Sequence, residues 1–168
     1  MNQLFIREYK PSVPGNNGIC WIHKADINAV ADIWLEVNLK AHNFISAEYW
    51  KSNFELVKEL LQQAEVYVYE NNHNIEGFVG LSGEYIEGIF VCDGKQSHGI
   101  GKCLLDYIKD RKNRLYLNVY QKNVRAIHFY KREGFEIQGE GLDEATGEKD
   151  YVMKWQQNIF KIELIDKK

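Results

Sequence analysis

The period of apolar positions changes several times along the chain, and each change marks an element. Residues 4–9 form a short β-rich run, followed by loop signals over residues 11–18, where both prolines fall. Asp26 then stands as an N-cap before Ile27, Val30, Ala31, Trp34, Val37 and Ala41, whose 3.6-residue spacing predicts a helix over 26–41. Ser46 is a second N-cap, with Glu48 in the first turn where the helix dipole favours it, and Trp50, Phe54, Val57 and Leu61 carry an apolar face to about residue 63. The period next falls to two. Residues 65–70 and 75–82 read as strands joined by the turn at 71–74, and residues 85–92 as a third, so the three make an antiparallel meander. Gly88 interrupts the last of them, the mark of a bulge, of a close backbone approach, or of a small residue under a bulky neighbour.

Helical spacing returns after Gly99, where Ile100, Cys103, Leu104, Tyr107, Ile108 and Arg111 share a face. Residues 114–120 predict a strand, 123–133 a short helix, and 135–138 and 149–155 two closing strands. The order β-α-α-β-β-β-α-β-α-β-β describes one α/β (α+β) domain: a mixed sheet of about seven strands with four helices, and a parallel crossover between the fourth and fifth strands. The domain is expected to span residues 1–155, with 156–168 as a C-terminal extension that adds an edge strand or stays outside the fold.

Composition narrows the function classes. With 168 residues, 45% of them apolar, the chain has material for an ordinary core and is neither disordered nor collagen-like. No apolar run approaches the roughly 20 residues of a membrane span, and the N-terminal segment carries charges where a signal peptide would be apolar, so a cytoplasmic protein is expected. Cysteines at 20, 92 and 103 fit neither a disulfide framework nor paired zinc motifs, so no metal is expected. A net charge of −3 and a pI near 6.0 give no general attraction to nucleic acid.

The chemistry enters at residues 96–101, QSHGIG, between a strand and a helix start. Free N–H groups at a helix N-terminus bind anions, and Gly99 and Gly101 would let a phosphate approach the backbone. Lys95, His98 and Lys102 would add side-chain contacts. The loop is not a Walker loop, nor the GxGxxG of a dinucleotide fold.

Gln96, Gly99 and Gly101 instead resemble the Q/R-x-x-G-x-G/A motif of the GCN5-related N-acetyltransferases (GNAT), of the small bacterial type. The strand ending Ile89-Phe90-Val91 precedes that motif, and Leu117-Asn118-Val119 and then Asn123, Ala126, Phe129, Tyr130, Gly134 and Phe135 follow it at the family's spacing. The resemblance implies the GNAT fold, with strands four and five splayed apart to admit acetyl-CoA as acetyl donor. It assigns Ile89, Phe90 and Val91 to the pantetheine and acetyl group, with an N–H there polarising the thioester carbonyl and stabilising the oxyanion. Gln96, Ser97, His98, Gly99, Ile100, Gly101 and Lys102 would hold the pyrophosphate, Asn123 and Ala126 would flank the cofactor, and Phe129 would line its path. Tyr130 matches the family's general acid, which protonates the departing thiolate.

The base is not set by the resemblance. Some relatives carry a glutamate where this chain has Asn118, so Glu87, Glu84 and His42 are the candidates, beside a route in which the amine binds already neutral. Cys92, near the presumed acetyl position, raises an acyl-cysteine route that the family mostly does not use. Two departures stand out: Cys92-Asp93-Gly94 replaces a usual proline turn, and residues 16–21 lengthen the first loop, which reads as a surface insertion or a cover for the acceptor site. Trp34, Phe44, Tyr49, Trp50 and Phe54 are divided between core and acceptor wall.

The resulting expectation is direct transfer of an acetyl group from acetyl-CoA to a primary amine, on a small molecule or on a protein lysine or N-terminus, by a monomer or homodimer. The alternative is an acyl-CoA sensor without turnover. Charge adds a spatial expectation. Residues 71–94 carry Glu76, Glu84, Glu87 and Asp93 without a Lys or Arg, whereas residues 95–125 carry eight basic residues against Asp106 and Asp110. A basic donor side would then face an acidic acceptor side.

Overall fold

The computed structural model describes residues 17–158. In chain order the elements are β1 (Asn17–Trp21), a 3₁₀ turn (Lys24–Asp26), α1 (Ile27–Ala41), α2 (Ala47–Ser52), α3 (Phe54–Gln63), β2 (Glu65–Asn71), β3 (Asn74–Ser82), β4 (Tyr85–Val91), α4 (Ile100–Lys109), β5 (Arg114–Tyr120), α5 (Val124–Arg132), β6 (Glu136–Asp143) and β7 (Glu148–Gln156). They build one seven-stranded sheet in the order β1-β2-β3-β4-β5-β7-β6, antiparallel except at β4–β5.

The pattern of elements follows the sequence with three corrections. The strand expected at 4–9 lies outside the described residues, while residues 17–21, expected as loop insertion, form the edge strand β1 against β2, with Ile19 opposite Tyr69 and Cys20 opposite Val68. A five-residue strand that follows two prolines, Gly15 and Asn16 in the sequence is too short for alternation to show. The helix expected over 46–63 is two helices, which raises the helix count from four to five. Asn53 breaks it: its side-chain amide donates to the Tyr49 carbonyl at 2.7 Å, a local bond that competes with the backbone ladder. Cys103, expected on the apolar face of α4, is exposed, and Leu104, Leu105 and Ile108 form that face instead.

Two cores result, one on each side of the sheet. On one side Tyr67, Val79, Leu81, Leu115 and Leu117 pack under Ile100, Leu104, Leu105 and Ile108 of α4 and Ile127 and Tyr130 of α5. On the other, Val66, Val68 and Phe78 pack under Ile27, Val30, Ala31 and Ile33 of α1 and Leu61 of α3. Adjacent residues of β2 therefore serve opposite cores, and the central β3 is buried through most of its length.

The feature that positions the site is the parting of β4 from β5. They pair at Tyr85 opposite Tyr116, where Tyr116 N–H donates to the Glu84 carbonyl at 3.0 Å; β4 and β5 share no further paired residues, while β5 stays paired with β7 on its other edge from Arg114 to Tyr120. A bulge helps turn β4 away: Gly80 faces Gly88 and Leu81 faces Ile86, leaving Glu87 as the extra residue. The Phe90 ring folds back over Gly88 and leaves no room there for a Cβ, so Gly88 adjoins a bulge and lies under a bulky neighbour as well.

Candidate active site

Two clefts flank the parted strands, of about 650 and 660 Å³. The first opens onto the N-terminus of α4. Gly99 caps that helix at φ +83°, a left-handed conformation that glycine adopts without strain. The first intrahelical bond runs from Cys103 N–H to the Gly99 carbonyl at 2.9 Å, leaving the N–H groups of Ile100, Gly101 and Lys102 without intrahelical acceptors. The loop before the helix is tied from α5: the Arg125 guanidinium donates to Gln96 Oε1 at 2.7 Å and Ser97 Oγ at 2.9 Å, and Gln96 Nε2 donates to the Val91 carbonyl at 3.1 Å. Lys40, Lys95, Lys102, Lys122, Arg125 and Arg132 line this cleft against Glu36 and Asp93.

Along β4, Cys92 N–H donates to the Glu76 carbonyl of β3 at 2.9 Å. Antiparallel alternation then turns the backbone groups of Ile89 and Val91 the other way, toward the gap beside β5. That orientation suits an extended ligand arm pairing with β4.

The second cleft lies between α1–α3 and the ends of β4, β5 and β7. Trp34, Tyr49 and Trp50 line it with Tyr85, Asn118 and Tyr120, and its charged residues are Glu87, Asp143 and Asp150, with no lysine or arginine among the described residues. Ile89, Asn123, Ala126 and Tyr130 line both clefts. Tyr130 is buried, burial pushes its phenol well above the ordinary tyrosine range, and its hydroxyl forms no hydrogen bond with another described residue. It therefore keeps its proton at the junction of the clefts.

Asn123 is held by a chain of bonds whose directions are fixed. Its Oδ1 accepts the Ala126 N–H at 3.2 Å as the N-cap of α5, so its Nδ2 donates to His42 Nε2 at 3.0 Å. His42 Nδ1–H donates in turn to Asn38 Oδ1 at 2.8 Å, and Asn38 Nδ2 to the Trp34 carbonyl at 2.9 Å. His42 is thus neutral, and burial lowers its pKa from 6.5 to about 4. With its lone pair already used, His42 orients Asn123 and has no free site for a substrate proton.

The structure gathers most of the residues singled out by sequence. Ile89, Val91, Gln96, Ser97, Gly99, Ile100, Gly101, Lys102, Asn123, Ala126, Phe129 and Tyr130 line the first cleft. Phe90 does not: its ring stacks on Phe78 at 4.8 Å on the other face of the sheet, because neighbours on a strand point oppositely. His98 is exposed, with Nδ1 on the Gln96 carbonyl at 2.8 Å, and lines neither cleft. Lys102 lines the cleft while paired with Asp106 at 2.9 Å and Glu133 at 3.3 Å. Among the candidate bases, Glu87 is exposed in the second cleft, whereas Glu84 pairs with Arg114 at 2.6 Å and lines neither. Cys92 also lines neither; burial raises its pKa, and its thiol faces the Ile75 carbonyl at 3.7 Å, which is no setting for an acyl-cysteine. Sequence reading passed over the loop-tying role of Arg125 and the cleft carboxylate Asp150; only the approach of α5 to the loop and the β5–β7 register reveal them.

The sequence and the fold of this chain have counterparts among known proteins. The family profile of the Acetyltransferase (GNAT) domain matches residues 62–137. Peptidyl-lysine N-acetyltransferase YiaC of Escherichia coli (strain K12) is 34% identical over 134 residues, covering 79% of this chain and 92% of that protein. The chain belongs to the GNAT acetyltransferase family. A second relative, peptidyl-lysine N-acetyltransferase YjaB of the same strain, is 32% identical over 108 residues, or 64% of this chain and 74% of that protein. The solution structure of apo-form YjaB superposes with a TM-score of 0.75 at 25% identity, covering 84% of this chain and 99% of that one. The fold is also shared with yncA of Salmonella typhimurium, a putative acetyltransferase solved with its cofactor acetyl-CoA, at a TM-score of 0.65 and 18% identity over 85% of this chain and 95% of that one.

As a GNAT enzyme the protein is an N-acetyltransferase with acetyl-CoA as acetyl donor. The residues present fit that donor: unpaired helix N–H groups and a positive rim suit its phosphates, and the splayed edge of β4 suits its arm. No helix among the described residues is long and apolar enough to cross a membrane.

Proposed function

We propose that the protein acetylates lysine ε-amines of other proteins by direct transfer in a ternary complex. The observation that carries this reading is the meeting of the two clefts at Ile89, Asn123, Ala126 and Tyr130. A donor held in the basic cleft and an amine entering the acidic one would face each other there without a covalent enzyme intermediate. The names of YiaC and YjaB, both peptidyl-lysine N-acetyltransferases, support a protein lysine over a small molecule.

In this reading the bound acetyl-CoA supplies an activated acetyl thioester, and the chain's own residues do the rest. The N-terminus of α4, with its loop braced by Arg125, holds the phosphates. The outward backbone of Ile89 and Val91 aligns the arm. Tyr130 donates its phenolic proton to the leaving thiolate, and Asn123, fixed by His42, keeps α5 and so Tyr130 in place. Glu87, exposed at the bulge, is the candidate to receive the amine's proton through water. Cys92 and Cys103 are free thiols, which supports a cytoplasmic setting.

The test combines thiol release from acetyl-CoA with lysine peptides and with small polyamines. Intersecting initial-rate lines with the peptides are expected. Parallel lines would exclude the ternary complex, and turnover confined to polyamines would reassign the acceptor. Thermal stabilisation by acetyl-CoA without release in any arm would mark a sensor.

A further inference from the structure

Asp150 is only 7% exposed and lies on β7 beside the acceptor cleft. Its Oδ2 accepts from Asn118 Nδ2 at 3.1 Å, while its buried Oδ1 has no hydrogen-bond partner. No Lys, Arg or His among the described residues forms an ion pair with it. A buried carboxylate without a counter-charge is destabilising as pure structure, so it asks for a ligand that explains it.

The bonds around it dictate what ligand that is. A carboxylate only accepts, so Asn118 must turn its NH₂ toward Asp150. Its carbonyl oxygen then faces Tyr85 and accepts the phenolic O–H at 3.1 Å. Tyr85 has thereby spent its one proton and presents only lone pairs to the cleft it lines. Burial first, and the charges of Glu87, Asp150 and Asp143 besides, raise the Tyr85 pKa, so it remains a neutral phenol surrounded by negative charge. A group with several N–H donors and a positive charge is the complement.

We propose that Tyr85, Asn118 and Asp150 form the subsite that seats the acceptor's primary ammonium, with the Tyr85 oxygen accepting its hydrogen bond and Asp150 as the buried counter-charge. The negative charge that Asn118 itself cannot carry is supplied one strand across, from β7. Asn118 and Asp150 share a face of the sheet, since Asn118 lies opposite Val152 and Tyr120 opposite Asp150. This inference rests on the amine-acceptor reading above and adds where the amine binds.

The experiment compares wild type, Asp150→Asn, Tyr85→Phe and the swap Asn118→Asp/Asp150→Asn. The swap keeps one carboxylate in the subsite and still obliges Tyr85 to donate. Asp150→Asn and Tyr85→Phe are expected to raise the KM for a lysine peptide about tenfold or more, with the KM for acetyl-CoA within about twofold, and the swap to restore most of the loss. Asp150→Asn is also expected to keep or raise the melting temperature, because it removes an uncompensated buried charge. A peptide KM unchanged in Asp150→Asn, or a swap no better than the single variant, would overturn the subsite. Calorimetric binding of Nα-acetyl-lysine methylamide to the CoA-bound protein reads the same subsite without turnover. Binding weakened in Asp150→Asn and restored in the swap would support the subsite even if wild type released no thiol, a result that would count against the transfer reading alone. Binding equal in all four proteins would overturn it.

Discussion

A phenol acts as an acid only while it holds its proton, and the burial of Tyr130 ensures that it does. Tyr130→Phe is expected to lower kcat about a hundredfold, with acetyl-CoA affinity within about twofold by calorimetry. His42 gives a second, independent expectation. Its folded pKa of about 4 lies below the ordinary 6.5, so the unfolded chain binds the extra proton between these values. Its contribution is therefore complete above pH 6.5 and is lost as pH falls toward 4, on the order of 3 kcal/mol in all. Urea unfolding across that range should show the gap between wild type and His42→Gln narrowing as pH falls; a constant gap would refute the buried neutral imidazole. The placement of Tyr130 and Asn123, in a spaced block, and of Gly99, before a helix, was legible in the sequence. Asp150 was not, because its meaning depends on Asn118, 32 positions away and reached only through the β5–β7 register.

At the scale of elements, the period of apolar positions carries the fold, and it weakens where side chains compete with the backbone. The meander, the crossover and the helices α1, α4 and α5 follow their patterns. The break at Asn53 and the edge strand β1 do not, since one turns on a single side-chain bond and the other on a strand five residues long. The loop before α4 depends on its cap and its brace together. Gly99→Ala would force a Cβ into a left-handed position, at a cost of about 1 kcal/mol, and is expected to weaken acetyl-CoA binding. Arg125→Leu frees Gln96 and Ser97 without touching the helix start, so a KM for acetyl-CoA several-fold higher with melting temperature nearly unchanged is the expected outcome. An unchanged KM would show that the loop holds its shape without α5.

For the whole molecule, the first cleft is basic and the second acidic, in the sense the charge runs suggested: Lys95, Lys102, Lys122 and Arg125 of the basic run line the first, whereas the second draws mostly on residues outside the acidic run. Glu76 pairs with Lys95, Glu84 with Arg114 and Asp93 with Lys40, which leaves Glu87 alone from the acidic run; Asp143 and Asp150, from β6 and β7, complete the acceptor side. Added salt is accordingly expected to lower kcat/KM for a basic lysine peptide more than for a neutral one, because screening weakens the attraction of the acidic cleft. The central claim, that donor and acceptor clefts meet at Tyr130 to acetylate lysine, is tested most directly by mass spectrometry of a lysine peptide incubated with acetyl-CoA. Wild type should add one acetyl group to the ε-amine at a rate that Tyr130→Phe, equally able to bind acetyl-CoA, loses by about a hundredfold. Equal rates in the two proteins, or none above the uncatalysed background from wild type with acetyl-CoA bound, would contradict it.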